Sequence, residues 1–307
     1  MAAPQRHYAV HAAMLATVFV WGATFVLIKD ALQDVSPLLF NLLRMSLAFA
    51  LLAAIHHRSL RNITRAAWIS STAAGICLAI GYQFQTAGLR LTTPSKSAFL
   101  TGLVVVLVPI LALIKPLRAP HARRPSTIAL LAALPAFIGV VLLTTTSTAG
   151  AFHSINTGDL LTLACALGFA LHVVALAHAS PRIPLAQLTT LQIGVAAAIM
   201  LITTPLLERS HILWTPRVLI ALSATALLAT AAAFTVQTWA QRHLPPSHTA
   251  LLLALEPVFA WLTAMVILHD HLTARALAGA ALILSGILLA ELKGNATPPP
   301  APVSASL

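Results

Sequence analysis

An all-α integral membrane protein, with ten transmembrane helices arranged as two inverted five-helix repeats, is the fold class this sequence predicts. Three observations predict it. Hydrophobic residues make up 59% of the 307 and charged residues only 8%, where a soluble domain carries about a quarter charged. The apolar residues fall into runs close to the ~20 residues a helix needs to cross a bilayer. The second half of the chain also repeats polar landmarks of the first at a fixed offset.

The net charge of +11 invites a nucleic-acid reading, but the position of the charge argues for the membrane. Arg58, Arg61 and Arg65, and then Lys115, Arg118, Arg123 and Arg124, sit in short loops between apolar runs. Lys and Arg in such loops set membrane orientation. Lipid is therefore the expected surroundings, and nucleic acid is not an expected partner. Cys77 and Cys165 lie inside apolar runs with neither zinc-like spacing nor a disulfide framework. The run from Ala9 to Ile28 follows Arg6 as a signal peptide would. It is longer than a usual signal core and is followed by many more spans, so it reads as a first transmembrane helix.

Charge, proline and polar clusters divide the chain into segments at 9–28, 37–55, 67–87, 97–115, 126–146, 158–178, 186–207, 217–240, 248–268 and 273–292. Pro109, Pro135 and Pro257 fall inside them, and membrane helices accommodate proline as kinks. The tail 294–307, with TPPPAPVSASL, has a disordered composition. With the N-terminus inside, the cytoplasmic loops of the first five segments hold the seven basic residues named above, against Lys29, Arg90 and Lys96 opposite. That bias favours both termini in the cytoplasm; the second half alone leaves it open, with Arg182 and Arg242 inside against Arg209, Arg217 and Arg275 outside, and a bacterial inner membrane is the expected location.

QTAGLRLTTPSKSAFL (85–100) lies over QTWAQRHLPPSHTALL (237–252) at an offset of 152, and Gln85, Thr86, Arg90, Pro94, Ser95, Ala98 and Leu100 recur. Ser126 and Gly139 lie over Thr273 and Gly286 at an offset of 147. Shared Gln-Thr and Pro-Ser at fixed spacing is more than two Ala/Leu-rich stretches match by composition. The repeats run over 9–146 and 157–292. A five-span unit is odd, so its tandem copy enters the membrane in the opposite sense. This is the architecture in which secondary transporters hold a midplane site between halves.

At these residues the chain resembles the EamA-type drug/metabolite transporters. FVWGATFVLIK (19–29) is similar to the family's opening Trp-Gly-x-x-Phe, Arg44 stands where the family often has an Arg, and 82–112 resembles its third-to-fourth span hairpin. GDLLTLACALGFALH (158–172) resembles the sixth span, and 233–268 followed by 272–289 gives the strongest likeness. Two departures stand out: His269-Asp270 replaces the usual Gly-Glu after the ninth span, and Pro120 and His121 stand where the fourth would carry its acidic residue. The resemblance implies ten helices in two inverted halves, a central cavity, and movement of metabolites, amino acids or drugs, commonly outward. It does not identify the solute.

Ionisable groups inside spans are candidates by default. Glu256 is the carboxylate set within an apolar run, and Pro257 beside it lacks an N–H and clashes with the carbonyl of Leu253, opening the helix there. The pair either lines a polar cavity, exchanging protons or binding a cationic group, or only shapes a kink. Arg44 lies about 10 Å into its span by helix rise, too deep for simple snorkelling, and either binds solute or pairs internally. Lys96 and Ser97 open the fourth span, where Lys96 also suits an interfacial anchor. Tyr82, Gln83, Gln85 and Gln237 offer polar contacts that also serve between helices. Trp21, Phe25 and Trp239 could line a cavity, Trp21 and Trp239 by cation–π contact or stacking. His172 reads as an interhelical hydrogen-bonding group or a proton carrier. Pro109 and Pro257 are the expected kinks. Gly22, Gly75, Gly81, Gly139, Gly279 and Gly286 suit close helix packing.

The competing classes are an integral membrane enzyme and a membrane scaffold that moves nothing. The enzyme reading lacks H-E-x-x-H, and His56-His57 and His269-Asp270-His271 lie in loops without a clear ligand set. There is no P-loop for ATP-driven export. No cofactor and no metal are expected, protons are the candidate coupling ion, and the sequence is compatible with a monomer.

Overall fold

The computed structural model describes residues 3–91, 97, 100–118, 125, 127–144, 156–268 and 273–294. Its helices are α1 (Ala3–Ala31), α2 (Pro37–Ile55), α3 (Arg65–Leu91), α4 (Val104–Leu111), α5 (Thr127–Thr144), α6 (Thr157–Ala179) and α7 (Leu185–Leu207). They continue with α8 (Pro216–Ala240), α9 (Pro246–Leu253), α10 (Glu256–Leu268) and α11 (Ala274–Gly294). Extended pairing among the described residues is limited to an isolated antiparallel bridge, Val35 to Ile212. Five stretches are long and apolar enough to cross a membrane: Tyr8–Ala31 within α1, and α2, α6, α7 and α8. At 27 residues α3 is also long enough, but Ser70, Ser71, Thr72, Gln83 and Gln85 dilute it. Leu100–Leu111, Leu130–Leu142 and Ala274–Leu289 are shorter apolar stretches.

The distribution of side chains is that of a protein dissolved in lipid. On α7, Leu201, Ile202 and Leu206 are 63%, 65% and 76% exposed, while Thr189, Thr190 and Gln192 of the same helix are fully buried. Water would reverse that preference. In hydrocarbon the polar groups turn inward to find partners, and the leucines face out. The chain is a multi-pass helical membrane protein.

Close packing uses small residues. α3 lies along α6, α11 along α5, α2 and α3 against α7, and α1 against α10. A Cβ at Gly22 would stand 2.7 Å from the Ala260 backbone nitrogen and 2.8 Å from the Glu256 carbonyl, so only glycine lets α1 approach α10 this closely.

Two helices of the second half are interrupted, and both interruptions face the interior. The ninth apolar run breaks at Ala254–Leu255, between α9 and α10, where the Leu255 N–H bonds Leu252 O three residues back rather than four. Pro257 explains the break, since it has no N–H to continue the ladder from Leu253. The fourth run, in the first half, breaks at Leu103, which corresponds to Leu255 at the offset of 152. Pro109 lies further on, buried inside α4. The second interruption, inside α8, is a stretch of π-helix over Leu227–Ala232.

The loop before α2 is tied to the loop before α8. Ser36 N–H donates to His211 O (3.0 Å) and Leu213 N–H to Asp34 O (2.7 Å). Asp34 Oδ2 accepts from Thr215 Oγ1 (2.6 Å) and from Arg217 Nε (2.5 Å), and Arg217 also pairs with Asp30 at 3.6 Å. The Thr215 hydrogen bond first, and the Arg217 bond and charge with it, hold the Asp34 carboxyl below the usual carboxylate range despite burial. Glu208 accepts from the N–H groups of Leu38 and Leu39 at 3.1–3.2 Å. A carboxylate from the second half thus caps the first turn of α2, where the helix dipole favours negative charge.

Candidate functional site

A cavity of about 450 Å³ lies between the two halves. Its wall takes Trp21, Thr24, Phe25 and Lys29 from α1, Asn41 and Arg44 from α2, and Tyr82, Gln85 and Thr86 from α3. Phe169 and His172 of α6, Phe234 and Gln237 of α8, and Glu256, Pro257 and Trp261 of α10 add to it, beside Thr101, Val104 and Val105 of the fourth run and Ala250 and Leu253 of α9.

Arg44 is 3% exposed and held from two sides. Its Nε donates to Thr230 Oγ1 at 2.7 Å, and its NH2 group donates to Tyr82 Oη at 3.0 Å and Ala229 O at 3.2 Å. The guanidinium carbon also lies 4.5 Å from the centroid of the Tyr82 ring, in cation–π contact. The Ala229 carbonyl is available because of the π-helical stretch. Widening the turn takes a carbonyl out of the regular ladder, and this one accepts from Arg44 and from Trp21 Nε1 at 2.8 Å. One backbone oxygen of the second half therefore fixes two side chains of the first.

Glu256 is the opposite charge. Among the described residues it makes no hydrogen bond and no ion pair, although the field of Arg44 reaches it. Its place at the start of α10 follows from the Pro257 break, which sets the carboxylate at a helix beginning. Arg44 and Glu256 line one cavity without neutralising each other in contact.

The other predicted residues divide. Trp21, Phe25, Tyr82, Gln85, His172, Gln237 and Pro257 line the cavity. His172 Nε2 is 2.8 Å from Gln192 Oε1, and Gln192 Nε2 donates on to Thr238 Oγ1 at 3.1 Å, an interhelical chain behind the wall. Gln83 turns away and exchanges hydrogen bonds with Thr203 at 2.9 and 3.1 Å. Trp239 packs into an apolar cluster with Val10, Met14 and Leu251, and its ring meets that of His243 at a tilt of 58°. Ser97 is buried, with no partner for its hydroxyl among the described residues, and is not part of the wall. Lys96 lies outside the described residues, as do residues 295–307 of the tail and the His269-Asp270-His271 loop.

Sequence reasoning missed Lys29, Asn41, Thr86, Phe169, Phe234 and Trp261. Two carry a usable signal: Phe169 is one helical turn before His172, and Trp261 about one turn after Pro257, so each shares a face with a residue already singled out. The Ala229 carbonyl carries none, because every residue has a carbonyl and LLATAA does not announce a π-turn. Among the described residues, no group of three His, Cys, Asp or Glu side chains gathers as a metal ion would need.

Comparison with known proteins gives a consistent picture. The EamA-like transporter family matches residues 9–145 and, a second time, residues 156–292. An uncharacterized transporter of Archaeoglobus fulgidus is 30% identical over 276 residues, covering 89% of this chain and 83% of that protein. The uncharacterized transporter YoaV of Bacillus subtilis is 22% identical over 281 residues, 90% of this chain and 94% of its own. One solved crystal structure superposes with a TM-score of 0.77 at 19% identity, over 93% of this chain and 97% of its own, a likeness of fold alone.

Proposed function

We propose, from the premise that this chain belongs to the EamA-like transporter family, that it is a secondary transporter working by alternating access between two inverted five-helix repeats, 9–146 and 157–292. It carries a small metabolite, amino acid or drug-like solute outward across the bacterial inner membrane. The observation that carries this reading is the cavity itself. Residues of both family-matched segments line it, and it keeps a buried cation and a carboxylate apart. Uncompensated charge at membrane depth is costly and persists where a pathway needs it. Glu256 is the group through which protons would couple to flux.

Ten spans with both termini and the 294–307 tail cytoplasmic complete the reading. Under that orientation the wall at Lys29 and Leu89 belongs to the outer half, and the cavity reaches toward the outer face. In a background without Cys77 and Cys165, cysteines at Ser59 and Thr127 resist a membrane-impermeant thiol reagent in intact cells, while one at Thr157 reacts. The reverse pattern would overturn the orientation. Transport itself is tested by loading proteoliposomes from a cytosolic metabolite extract. Mass spectrometry then shows specific solutes enriched over protein-free liposomes, and an identical solute profile in both removes the transporter mechanism.

A further inference from the structure

Gln237, in the cavity wall, holds a buried polar atom that the fold leaves without a partner among the described residues. Gln237 is 2% exposed, and its Oε1 has no hydrogen-bond partner among the described residues. Which end of this amide is free follows from its neighbours. Gln241 Nε2 donates to the carbonyl of Val173 at 2.8 Å, and a carbonyl can only accept. The other end of Gln241 is therefore its oxygen, and that oxygen accepts from Gln237 Nε2 at 3.3 Å. The Val173 carbonyl thus fixes both amides in turn and leaves Gln237 with its acceptor unspent. Seven buried side-chain atoms lack a partner among the described residues, and Gln237 Oε1 is the one whose residue lines the cavity, so a buried acceptor, ordinarily paired, is left where a solute can supply the donor.

The same cavity holds further unspent polar groups among the described residues, the Glu256 carboxylate and the Gln85 amide. Several of its donors are already engaged. Trp21 Nε1 is spent on Ala229 O, and the Asn41 amide donates to Tyr82 O and Thr86 Oγ1. Arg44 Nε and NH2 are taken by Thr230, Tyr82 and Ala229, which leaves NH1 as its open donor. Lys29 is exposed at the rim. Trp21, Phe25, Phe169, Phe234 and Trp261 supply aromatic walls, and ring faces attract cations.

We infer that Gln237 and Glu256 are the acceptors for a protonated amine carried on an apolar or aromatic body, so that the solute class is an organic ammonium ion. This rests on the transporter reading above for its physiological meaning, but the binding it asserts is measurable without transport. The Glu256 carboxylate supplies the charge, Gln237 Oε1 takes a second N–H, and the rings enclose the apolar body.

The test uses the purified full chain in lipid nanodiscs and isothermal titration with three probes of one shape. These are 2-phenylethylamine, a cation at neutral pH, the neutral 2-phenylethanol, and the anion 3-phenylpropionate. The amine binds about tenfold tighter than either of the others. Glu256→Gln weakens it about tenfold, and Gln237→Leu about fivefold. Gln237→His, whose neutral ring can donate one N–H to Gln241 and keep a bare nitrogen as acceptor, binds the amine within about threefold of the native chain and guards against misfolding of the leucine variant. Equal or tighter binding of 3-phenylpropionate, unchanged amine affinity in Gln237→Leu, or no binding of any probe overturns the inference. Amine that binds but is never taken up by proteoliposomes leaves the site standing and removes the transport reading. Uptake of 3-phenylpropionate in preference to the amine does the reverse.

Discussion

The loop tie and the cavity are both built from a few charged side chains, and they use charge in opposite ways. At the tie, Asp34 has Thr215 and Arg217, and Glu208 has two backbone N–H groups of α2. In the cavity, Arg44 is braced by neutral groups and the Glu256 carboxylate makes no hydrogen bond or ion pair among the described residues. Paired charge at the membrane edge serves architecture, because partners consume its field where it stands. The Glu256 carboxylate, with no hydrogen bond or ion pair among the described residues of the interior, ties no helix to its neighbour, so its worth lies in what enters beside it. A charged residue in a membrane protein is therefore read through its partners rather than its type.

Substitutions probe this contrast, and the largest effect falls on Arg44. Arg44→Ala removes the brace between α2 and the π-stretch of α8 and lowers uptake by about a hundredfold, an effect of roughly 3 kcal/mol. Membrane insertion, read by fluorescence of a fused reporter, is retained. Arg44→Lys recovers only a small part, because one ammonium cannot reproduce the fork that reaches Thr230 and Ala229 together. Wild-type uptake by inserted Arg44→Ala would detach the residue from the mechanism.

The next effect separates Glu256 from Pro257. Glu256→Asp keeps an ionisable group but draws it back, and retains about a tenth to a third of gradient-driven uptake. Pro257→Ala restores an N–H at the break, and a smaller loss of uptake than in the aspartate variant is expected. If Pro257→Ala is the more damaging of the two in a pH-gradient flux assay, the site is a kink and the carboxylate is incidental.

At the tie the expected losses are smaller and thermal. Glu208→Ala leaves the first turn of α2 without its cap and costs about 1–2 kcal/mol, seen as a lower melting temperature with uptake per folded molecule maintained. Asp34 gives the smallest effect and a pH signature. Its folded-state pKa is depressed, so its contribution is complete above the ordinary aspartate value near pH ~4 and is lost as pH falls through the lower folded value. Asp34→Asn therefore flattens the acid limb of the melting-temperature profile. An unchanged limb would show that another carboxylate governs it.

Much of this fold is legible in the sequence, for a physical reason. Lipid imposes a length and a composition on every crossing, so α2, expected at 37–55, is found at Pro37–Ile55, and α7, expected at 186–207, at Leu185–Leu207. The Pro257 break is legible because a missing N–H has one local consequence. Arg44, Tyr82 and Glu256 stand out as cavity candidates because interior charge and hydroxyls are costly, and they do meet at one cavity. Gln83 and Trp239 follow from the same reasoning and lie elsewhere. Residue type says that a polar or aromatic group must find a partner, and only packing decides whether the partner is Thr203, His243 or a cavity. The tie between the first loop and the one before α8 leaves no trace in the sequence, since it pairs residues 34–39 with 208–217 through backbone and carboxylate groups that no periodicity marks.

The contrast between tie and cavity is sharpest when one chemical change is made at two carboxylates and two readings are taken from each preparation. Glu256→Gln and Glu208→Gln are reconstituted in proteoliposomes, and initial uptake rate and melting temperature are measured on the same samples. A crossed pattern is expected. Glu256→Gln loses uptake by about tenfold or more with its melting temperature unchanged, while Glu208→Gln melts lower and keeps its uptake rate. If Glu256→Gln transports normally, or if both variants lose rate and stability in parallel, unpaired interior charge is not what this protein works with.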